Sequence, residues 1–197
     1  MNDLGAVVAA WPTDDGGYII RPWFFAPADA IAEKSRTEGV NYSEWEKQGF
    51  VTATPGATID FDFIEKKIRD ICKEHDVRQI AFDPWRAQKL QHNLMADNFP
   101  VVDFRQGFIS MSPACDVTEK AILDGKFYHA ANPVLRWNFD NVAVTQDAAG
   151  NRKFDKSKSR DKIDGAVAAL MAVRCAAIYQ DNRSTYNNPD NGGVFIF

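Results

Sequence analysis

The chain has 197 residues, of which 45% are hydrophobic and 25% charged, and its formal net charge is −4 at pH 7. These values are typical of one globular domain with a core of its own. They exclude a strongly basic protein, so nucleic-acid binding would have to come from a local group of basic residues.

The sequence also indicates in which cellular compartment the protein is expected. No apolar segment approaches the roughly 18 residues of a membrane span, and the first residues show no signal-peptide pattern. The three cysteines, Cys72, Cys115 and Cys175, are scattered and form no Cys-x-x-Cys pair. We therefore expect a soluble cytoplasmic protein with reduced thiols, no membrane partner and no zinc site built from cysteine.

The first third of the chain predicts a hairpin followed by a helix. Residues 4–25 contain two apolar runs around PTDDGG, whose Asp-Asp-Gly-Gly favours a turn. A polar stretch with room for one or two short helices follows, and then the extended segment FVTATPGATID. Residues 60–75 have apolar residues at helical spacing, with Asp60 or Thr58 as the N-cap.

The remaining two thirds alternate between strands and helices. We expect, in order, strand 77–83, a helix from about Trp85 to Asn98, strand 100–104, helix 112–125, a short helix within 132–144, a charged hairpin within 145–162 and a buried helix over 163–179. A hairpin followed by alternating elements is typical of an α/β fold with a mixed sheet.

Asp83 stands where the apolar strand 77–83 stops, directly before Pro84. One interpretation is a turn-forming aspartate, which is common before proline. The other is a metal-binding aspartate, since ligands of open α/β sheets gather outside the carboxyl ends of the strands. This stretch alone supports the two interpretations about equally.

A second pair of carboxylates lies in RDKIDGAVAALMA, at the start of the predicted buried helix. Asp161 is the more natural N-cap of that helix. Asp164 lies among residues that a packed helix would bury, and a partly buried carboxylate needs a cation. Gly165 beside it suits a close approach of another backbone or of a ligand. Mg²⁺ or Mn²⁺ held by Asp83 and Asp164 is therefore a hypothesis for this site.

Three separated blocks resemble the C-terminal nuclease domain of tailed-phage large terminase subunits, the motors that package phage DNA and cut its concatemer. The blocks are AFDPWRAQKLQHNL, RQGFISMSPACDVTEKAILDGKFYHAANPVLRWNFDNVAV and KSRDKIDGAVAALMAVRCA. The resemblance implies a ribonuclease H-like fold in which three acidic residues bind two divalent ions. By motif, Asp83 matches the second acidic residue and Asp164 the third.

The sequence departs from that family at its beginning. The family's first acidic residue lies on a strand just before an Asp-Leu-small-Ala segment, which here is NDLGAVV and starts at residue 2. The first central strand is therefore expected to be missing, together with its carboxylate. No G-x-x-x-x-G-K-[ST] motif of an ATPase domain is present. We expect residues 1–180 to form an N-terminally truncated nuclease domain and residues 181–197 a turn-rich C-terminal tail.

Removal of a central strand would leave two sheet edges with unpaired backbone groups. The β-prone segment GGVFIF of the tail is a candidate to fill the gap, in cis or donated by a neighbouring chain. The alternative is a tail that takes no part in the sheet.

Basic residues are concentrated in NRKFDKSKSRDK, directly before Asp164. A solvated hairpin tip explains such a run, but its position also suits contacts with DNA phosphates beside the metal ions. The predicted DNA-binding residues are Arg86, Lys89, Arg152, Lys153, Lys156, Lys158, Arg160 and Lys162.

Together with these patterns, the resemblance implies a metal-dependent DNA endonuclease domain of a phage large terminase, with Asp83 and Asp164 as catalytic metal ligands and Asp161 as an auxiliary catalytic residue or cap. Its expected partners are double-stranded DNA and, by resemblance, the small terminase subunit and the portal protein. A catalytically inactive DNA-binding or packaging-assembly remnant of a prophage terminase is the alternative, because one carboxylate is missing. A junction resolvase or transposase of the same superfold is disfavoured, since their Glu-bearing motifs are absent.

Overall fold

The computed structural model of the protein describes residues 4–37, 39–85, 87–184 and 194–196. Arg86, one of the predicted DNA-binding residues, lies outside the described residues, as does most of the predicted tail. In chain order the elements are β1 (Gly5–Pro12), β2 (Tyr18–Pro27), α1 (Ala28–Thr37), α2 (Tyr42–Lys47), β3 (Val51–Thr54), α3 (Phe61–Glu74), β4 (Val77–Phe82), α4 (Gln88–Ala96), β5 (Val101–Asp103), α5 (Phe108–Leu123), β6 (Phe127–Tyr128), α6 (Pro133–Asp140), β7 (Val144–Gln146), β8 (Arg152–Phe154), α7 (Asp164–Ser184) and β9 (Val194–Ile196).

The main sheet is mixed and has the strand order β3-β2-β1-β9-β4-β5, with β6 beside the start of β2. β1 and β2 pair antiparallel as the predicted hairpin. β3 is parallel to β2, and β5 is parallel to β4. β7 and β8 form a separate antiparallel ribbon, which is the predicted charged hairpin. The predicted α/β fold with a mixed sheet is confirmed.

The central position of the sheet is filled by β9, from the tail of the chain. β9 pairs antiparallel with Ala9 and Ala10 of β1, and parallel with β4 between Val77 and Ile80. This is the position that was expected to lack its strand. The prediction that the tail fills the gap in cis is therefore confirmed, and the two strand edges beside it are paired along this stretch.

Alternate residues of β1 point to opposite faces of the sheet, and each face has its own buried cluster. Val8 and Ala10 belong to the larger cluster, together with residues of α5, α6 and α7. Val7 and Ala9 belong to the smaller cluster, together with residues of α3 and α4. Ile196 of β9 is fully buried in the smaller cluster, so the tail strand contributes to the core as well as to the sheet.

The predicted buried helix is confirmed as α7, which packs across β1. Its residues from Ala166 to Ala177 are buried except for Arg174, which is half-buried, because the helix is enclosed by the sheet and by α5 and α6. Within the described residues, no helix combines the length and the apolar composition needed to cross a bilayer. The predicted domain boundary at residues 180 and 181 falls inside α7, which ends at Ser184.

Two helices begin elsewhere than predicted. α4 starts at Gln88, three residues after the predicted start at Trp85, because Pro84 and Trp85 form a turn that closes β4. α5 starts at Phe108, well before the predicted start at residue 112. It contains Pro113 within its length, although proline removes one helical hydrogen bond. Burial of neighbouring residues of α5 in the larger cluster offsets that loss.

The cysteines are free, as predicted. Burial raises the pKa of the Cys72 and Cys115 thiols to about 11 and that of Cys175 to about 12. Because the thiolate is the reactive form, the raised pKa values lower the reactivity of these thiols at neutral pH.

Candidate active site

A cleft with a volume of about 140 Å³ opens at the edge of the sheet where β4 ends and β1 begins. β9 pairs with β1 at Ala9 and Ala10, so the first residues of β1 lie beyond the described part of β9. The space between the start of β1 and the end of β4 is this cleft, and side chains of α3, α4 and α7 form its other walls. It lies at the carboxyl end of β4, where ligands of α/β sheets gather.

Asp83 follows the last residue of β4 and lines the cleft. Its Oδ1 accepts a hydrogen bond from the backbone N–H of Trp85 at 3.3 Å, which is the turn contact of the first interpretation. The same carboxylate borders the cleft, as the second interpretation requires. Trp85 itself is 82% exposed, so the chain leaves the sheet immediately after the carboxylate.

Asp164 is the first residue of α7 and lines the same cleft, with its side chain 24% exposed. The next residue fixes its position. The N–H of Gly165 donates to Oδ1 of Asn138 at 2.8 Å. A Cβ at position 165 would lie 2.5 and 2.6 Å from two ring atoms of Phe24. A close approach at Gly165 is present, but the neighbour is the side chain of Phe24 and not the backbone or ligand that the sequence analysis expected. A residue with a Cβ could not pack as closely against this ring as Gly165 does.

Two buried asparagines at the end of α6 hold the segment that leads to Asp164. Asn138 is 0% exposed and also donates from Nδ2 to the carbonyl of Val134 at 2.9 Å. Asn141 is 4% exposed; its Nδ2 donates to the carbonyl of Lys162 at 3.4 Å, and its own carbonyl accepts from the N–H of Arg160 at 3.1 Å. The sequence analysis did not assign these roles. The signal that indicates them is a pair of polar residues, three apart, at the end of a helix that packs on the core.

Lys156 also lines the cleft, and its ammonium lies 2.7 Å from Oδ1 of Asp164. The Lys156 side chain is 31% exposed. DNA binding by Lys156 stays a prediction; in the structure its ammonium contacts one of the two candidate metal ligands.

Asp161 does not border this cleft among the described residues. Its Oδ1 accepts a hydrogen bond from the N–H of Lys162 at 2.8 Å. α7 begins three residues after Asp161, so the prediction that Asp161 is the N-cap is wrong: an N-cap immediately precedes the first helical residue. Its role as an auxiliary catalytic residue stays a prediction.

Arg152, at the start of β8, is engaged within the protein. Its guanidinium donates to Glu119 at 2.8 Å and to Asp116 at 2.6 Å, both on α5, and these hydrogen bonds raise its pKa further. The arrangement ties the β7–β8 ribbon to α5. A contact between Arg152 and DNA would have to compete with these two carboxylates.

The other predicted DNA-binding residues lie on the ribbon, on the segment after it, or near Asp83. Lys89 and Arg160 are exposed. The ammonium of Lys153 lies 4.9 Å from the ring centre of Phe108, and that of Lys158 donates to Oγ1 of Thr145 at 3.1 Å. The ribbon and the segment after it thus carry basic groups toward the start of α7.

Asp83 and Asp164 are hard oxygen donors on one cleft, one from a strand end and one from a helix start. Magnesium is commonly held by one or two carboxylates with water in the remaining positions, so this pair suits such an ion. In the described residues no cluster of three or more His, Cys, Asp or Glu side chains has the geometry of a metal site. Among the described residues, the carboxylates that line the cleft are Asp83 and Asp164.

Comparison with known proteins identifies the family. The family described as terminase large subunit, endonuclease domain, matches residues 1–179. The chain is 40% identical over 177 residues to the terminase large subunit of Enterobacteria phage HK97, which covers 89% of this chain and 35% of that protein. The chain belongs to the terminase large-subunit endonuclease domain family.

Further relatives support this assignment. The crystal structure of the HK97 bacteriophage large terminase matches with a TM-score of 0.83, covering 89% of this chain and 37% of that one. Protein YmfN of Escherichia coli K12 is 30% identical over 184 residues, 90% of this chain and 40% of that protein. This terminase nuclease domain therefore spans between one third and two fifths of the length of these relatives, and the ribonuclease H-like fold expected from the resemblance is confirmed.

Proposed function

We propose that this domain is a metal-dependent endodeoxyribonuclease that hydrolyses phosphodiester bonds and cuts concatemeric DNA during phage DNA packaging. The observation that carries the proposal is that Asp83 and Asp164, far apart in the sequence, line one cleft in a chain of the terminase nuclease family. Membership of the family supports the type of reaction, and the shared cleft supports the choice of Asp83 and Asp164 as site residues.

Asp83 and Asp164 would hold the metal, Mg²⁺ or Mn²⁺. Such an ion supplies Lewis acidity toward a phosphate oxygen and activates water for attack on phosphorus. The family resemblance implies two ions. The two carboxylates of the described cleft suffice for one ion with water ligands, and a second ion would call for a further carboxylate, for which Asp161 is the predicted source.

The rest of the cleft favours this chemistry. Its walls are largely apolar, with Leu4, Ile64, Leu90 and Met171 among them, so they reduce the contact of the carboxylates with bulk water. Charges interact more strongly where water is excluded. Gln106 places an amide in the same cleft, where it has both a donor and an acceptor to orient a phosphate or a water molecule.

DNA would approach the cleft along the β7–β8 ribbon and the segment after it. Basic residues of this region provide phosphate contacts that position the backbone over the two carboxylates and carry no sequence information. The proposed contacts on this side are Lys153, Lys158, Arg160 and Lys162, with Lys89 on the Asp83 side. Contacts with a small terminase subunit and a portal protein are proposed from the family alone.

A second candidate function is a DNA-binding or packaging-assembly module without nuclease activity. Two observations favour it: the described cleft has two carboxylates where the resemblance implies three, and Lys156 occupies one of them. This candidate keeps the fold and the salt-sensitive DNA binding and lacks the cutting.

Nicking of supercoiled plasmid in Mn²⁺ tests the two candidates. Asp83→Asn and Asp164→Asn are each expected to lower the rate more than about 100-fold while the fold is kept, since a lost ligand costs more than a lost second-sphere contact. Asp103→Asn is the matched control, because Asp103 ends β5 directly beside the end of β4 and does not line the cleft. Equal cutting by all variants would contradict the site, and absence of cutting with retained DNA binding would establish the second candidate.

A further inference from the structure

The position of Lys156 is fixed by the turn in which it stands. The carboxylate of the preceding residue, Asp155, accepts hydrogen bonds from the N–H and the O–H of Ser157 at 2.9 and 2.6 Å. The N–H of Asp155 donates to the carbonyl of Ala143 at 2.8 Å, and its carbonyl accepts from Oγ of Ser159 at 2.7 Å. These hydrogen bonds fix the backbone on both sides of Lys156, so the position of its Cα is well defined.

From that place the ammonium reaches into the cleft. It lies 2.7 Å from Oδ1 of Asp164, and both side chains are largely withdrawn from water, at 31% and 24% exposure. Asp83 lines the same cleft. A carboxylate in such a place needs a cation. In the protein without metal, Lys156 is that cation for Asp164.

The neighbouring basic residues make other contacts. Arg152 pairs with two acidic residues of α5, and Lys158 contacts Thr145 and Asp155. None of these partners lines the cleft. Lys156 is therefore distinguished from Arg152 and Lys158 by its partner, which is a candidate metal ligand.

An ammonium and a divalent ion compete for Asp164. Both are cations that bind through the carboxylate oxygens, and two cations repel each other at close range. The lysine side chain has a flexible four-carbon stem and three donors, so it is able to leave one anion for another within reach. In a nuclease cleft the next anion is a phosphate of the DNA.

We infer that Lys156 is an internal cation that gives up Asp164 to a divalent ion and, once displaced, binds a phosphate oxygen of the DNA. The inference rests on the proposed function, since it takes the ion and the DNA as ligands. It makes the two ligands cooperative: the ion releases Lys156 for DNA, and by linkage DNA favours binding of the ion.

The metal side is tested by titrating each protein with Mn²⁺ and following free Mn²⁺ by electron paramagnetic resonance. Lys156→Met is expected to bind Mn²⁺ about fivefold more tightly than the parent chain, the size expected for one partly exposed ion pair. Lys158→Met, which removes a charge two residues away, and Lys156→Arg, which keeps the charge, are expected to resemble the parent. Thermal melting confirms that each variant is folded.

An unchanged or weaker Mn²⁺ affinity of Lys156→Met would overturn the inference and leave the proposed function intact. Failure of every variant to bind Mn²⁺ would overturn the metal site of the proposed function itself. The two failures are thus distinguishable, and neither relies on cutting.

The DNA side is tested in EDTA by fluorescence anisotropy of a labelled duplex, without any metal. Asp164→Asn releases Lys156, so Lys156→Met is expected to weaken DNA binding about fivefold in the Asp164→Asn background and little in the parent background. Lys158→Met is expected to weaken binding equally in both backgrounds. An equal effect of Lys156→Met in both backgrounds would show that Lys156 is not held by Asp164 and would overturn the inference.

Discussion

Asp83 and Asp164 line the same cleft, but the strand end that carries Asp83 is held less firmly than the helix start that carries Asp164. Asp164 begins a helix enclosed by the larger cluster, and the contacts of Gly165 with Asn138 and Phe24 fix its first turn. Asp83 follows a strand that has the tail strand β9 as one of its two neighbours in the sheet, and among the described residues a turn hydrogen bond from the N–H of Trp85 restrains its side chain.

The difference separates a rigid side of the site from an adaptable one. Local stability within one protein varies from near zero at exposed loops up to the global value in the core. The Asp164 side has the features of the stable end of that range, whereas Asp83 is followed two residues later by Trp85, which is 82% exposed. We expect the Asp164 side to set the geometry of a bound ion and the Asp83 side to adjust to it.

The largest expected effect concerns the strand beside Asp83. Ile196→Ala is expected to lower the free energy of unfolding by about 2–5 kcal/mol, because it empties a fully buried place between β1 and β4. Urea unfolding of the whole chain measures it. Ile109→Ala is the matched control: Ile109 is 91% exposed, and the same change there is expected to stay within about 0.5 kcal/mol.

If Ile196→Ala proves as mild as Ile109→Ala, β9 contributes nothing to stability and the Asp83 side is looser than the structure shows. A loss within the expected range, with hydrogen exchange of β4 amides accelerated as well, would mean that the tail strand supports the strand that carries Asp83.

On the Asp164 side, the sequence predicted the buried helix but not the hydrogen bonds that hold its start in place. The apolar run from Ile163 onward predicted a buried helix, since nearly every position there is apolar, and Gly165 predicted a close approach. Asn138 and Asn141 were not assigned, because what a buried polar side chain binds depends on which elements pack together. The start of α4 was also predicted too early, at Trp85 and not at Gln88. The spacing of apolar residues does not show that Pro84 and Trp85 form a turn before the helix.

The next expected effect concerns the close approach on the Asp164 side. Gly165→Ala is expected to lower the free energy of unfolding by about 1–3 kcal/mol, because the new methyl group would overlap the buried ring of Phe24. Since the helix start has to move, Mn²⁺ affinity is expected to fall too. Gly107→Ala is the control: a Cβ there meets nothing within 4 Å, and its φ of −85° suits any residue.

Equal stability of the Gly165→Ala and Gly107→Ala variants would show that the start of α7 shifts freely. The contrast between the two sides of the cleft would then be lost. Titration with Mn²⁺ separates a stability effect from a site effect, because a folded variant with a displaced Asp164 binds the ion less tightly.

A somewhat smaller effect is expected at the asparagine that holds Gly165. Asn138→Leu keeps a similar volume but leaves the buried N–H of Gly165 without its partner, at a cost of about 1–2 kcal/mol. Urea unfolding measures the loss. Asn93→Leu is a comparison on the other face of the sheet, where Asn93 donates to Glu65. A similar Mn²⁺ affinity in both variants would contradict a positioning role for Asn138.

The smallest expected effect is a dependence on pH at the turn that leads into α6, the helix that contains Asn138 and is followed by Asn141. Burial, and then the charge of Arg136, lower the pKa of His129 below its usual range. The folded state therefore binds fewer protons than the unfolded state, and stability is expected to fall as the pH drops through the ordinary histidine pKa of about 6.5. Unfolding of His129→Gln, measured in parallel across pH 5–8, is expected to lack this component. If both chains lose stability equally, the turn plays no part in the pH response, and the support of the Asp164 side is insensitive to the protonation of His129.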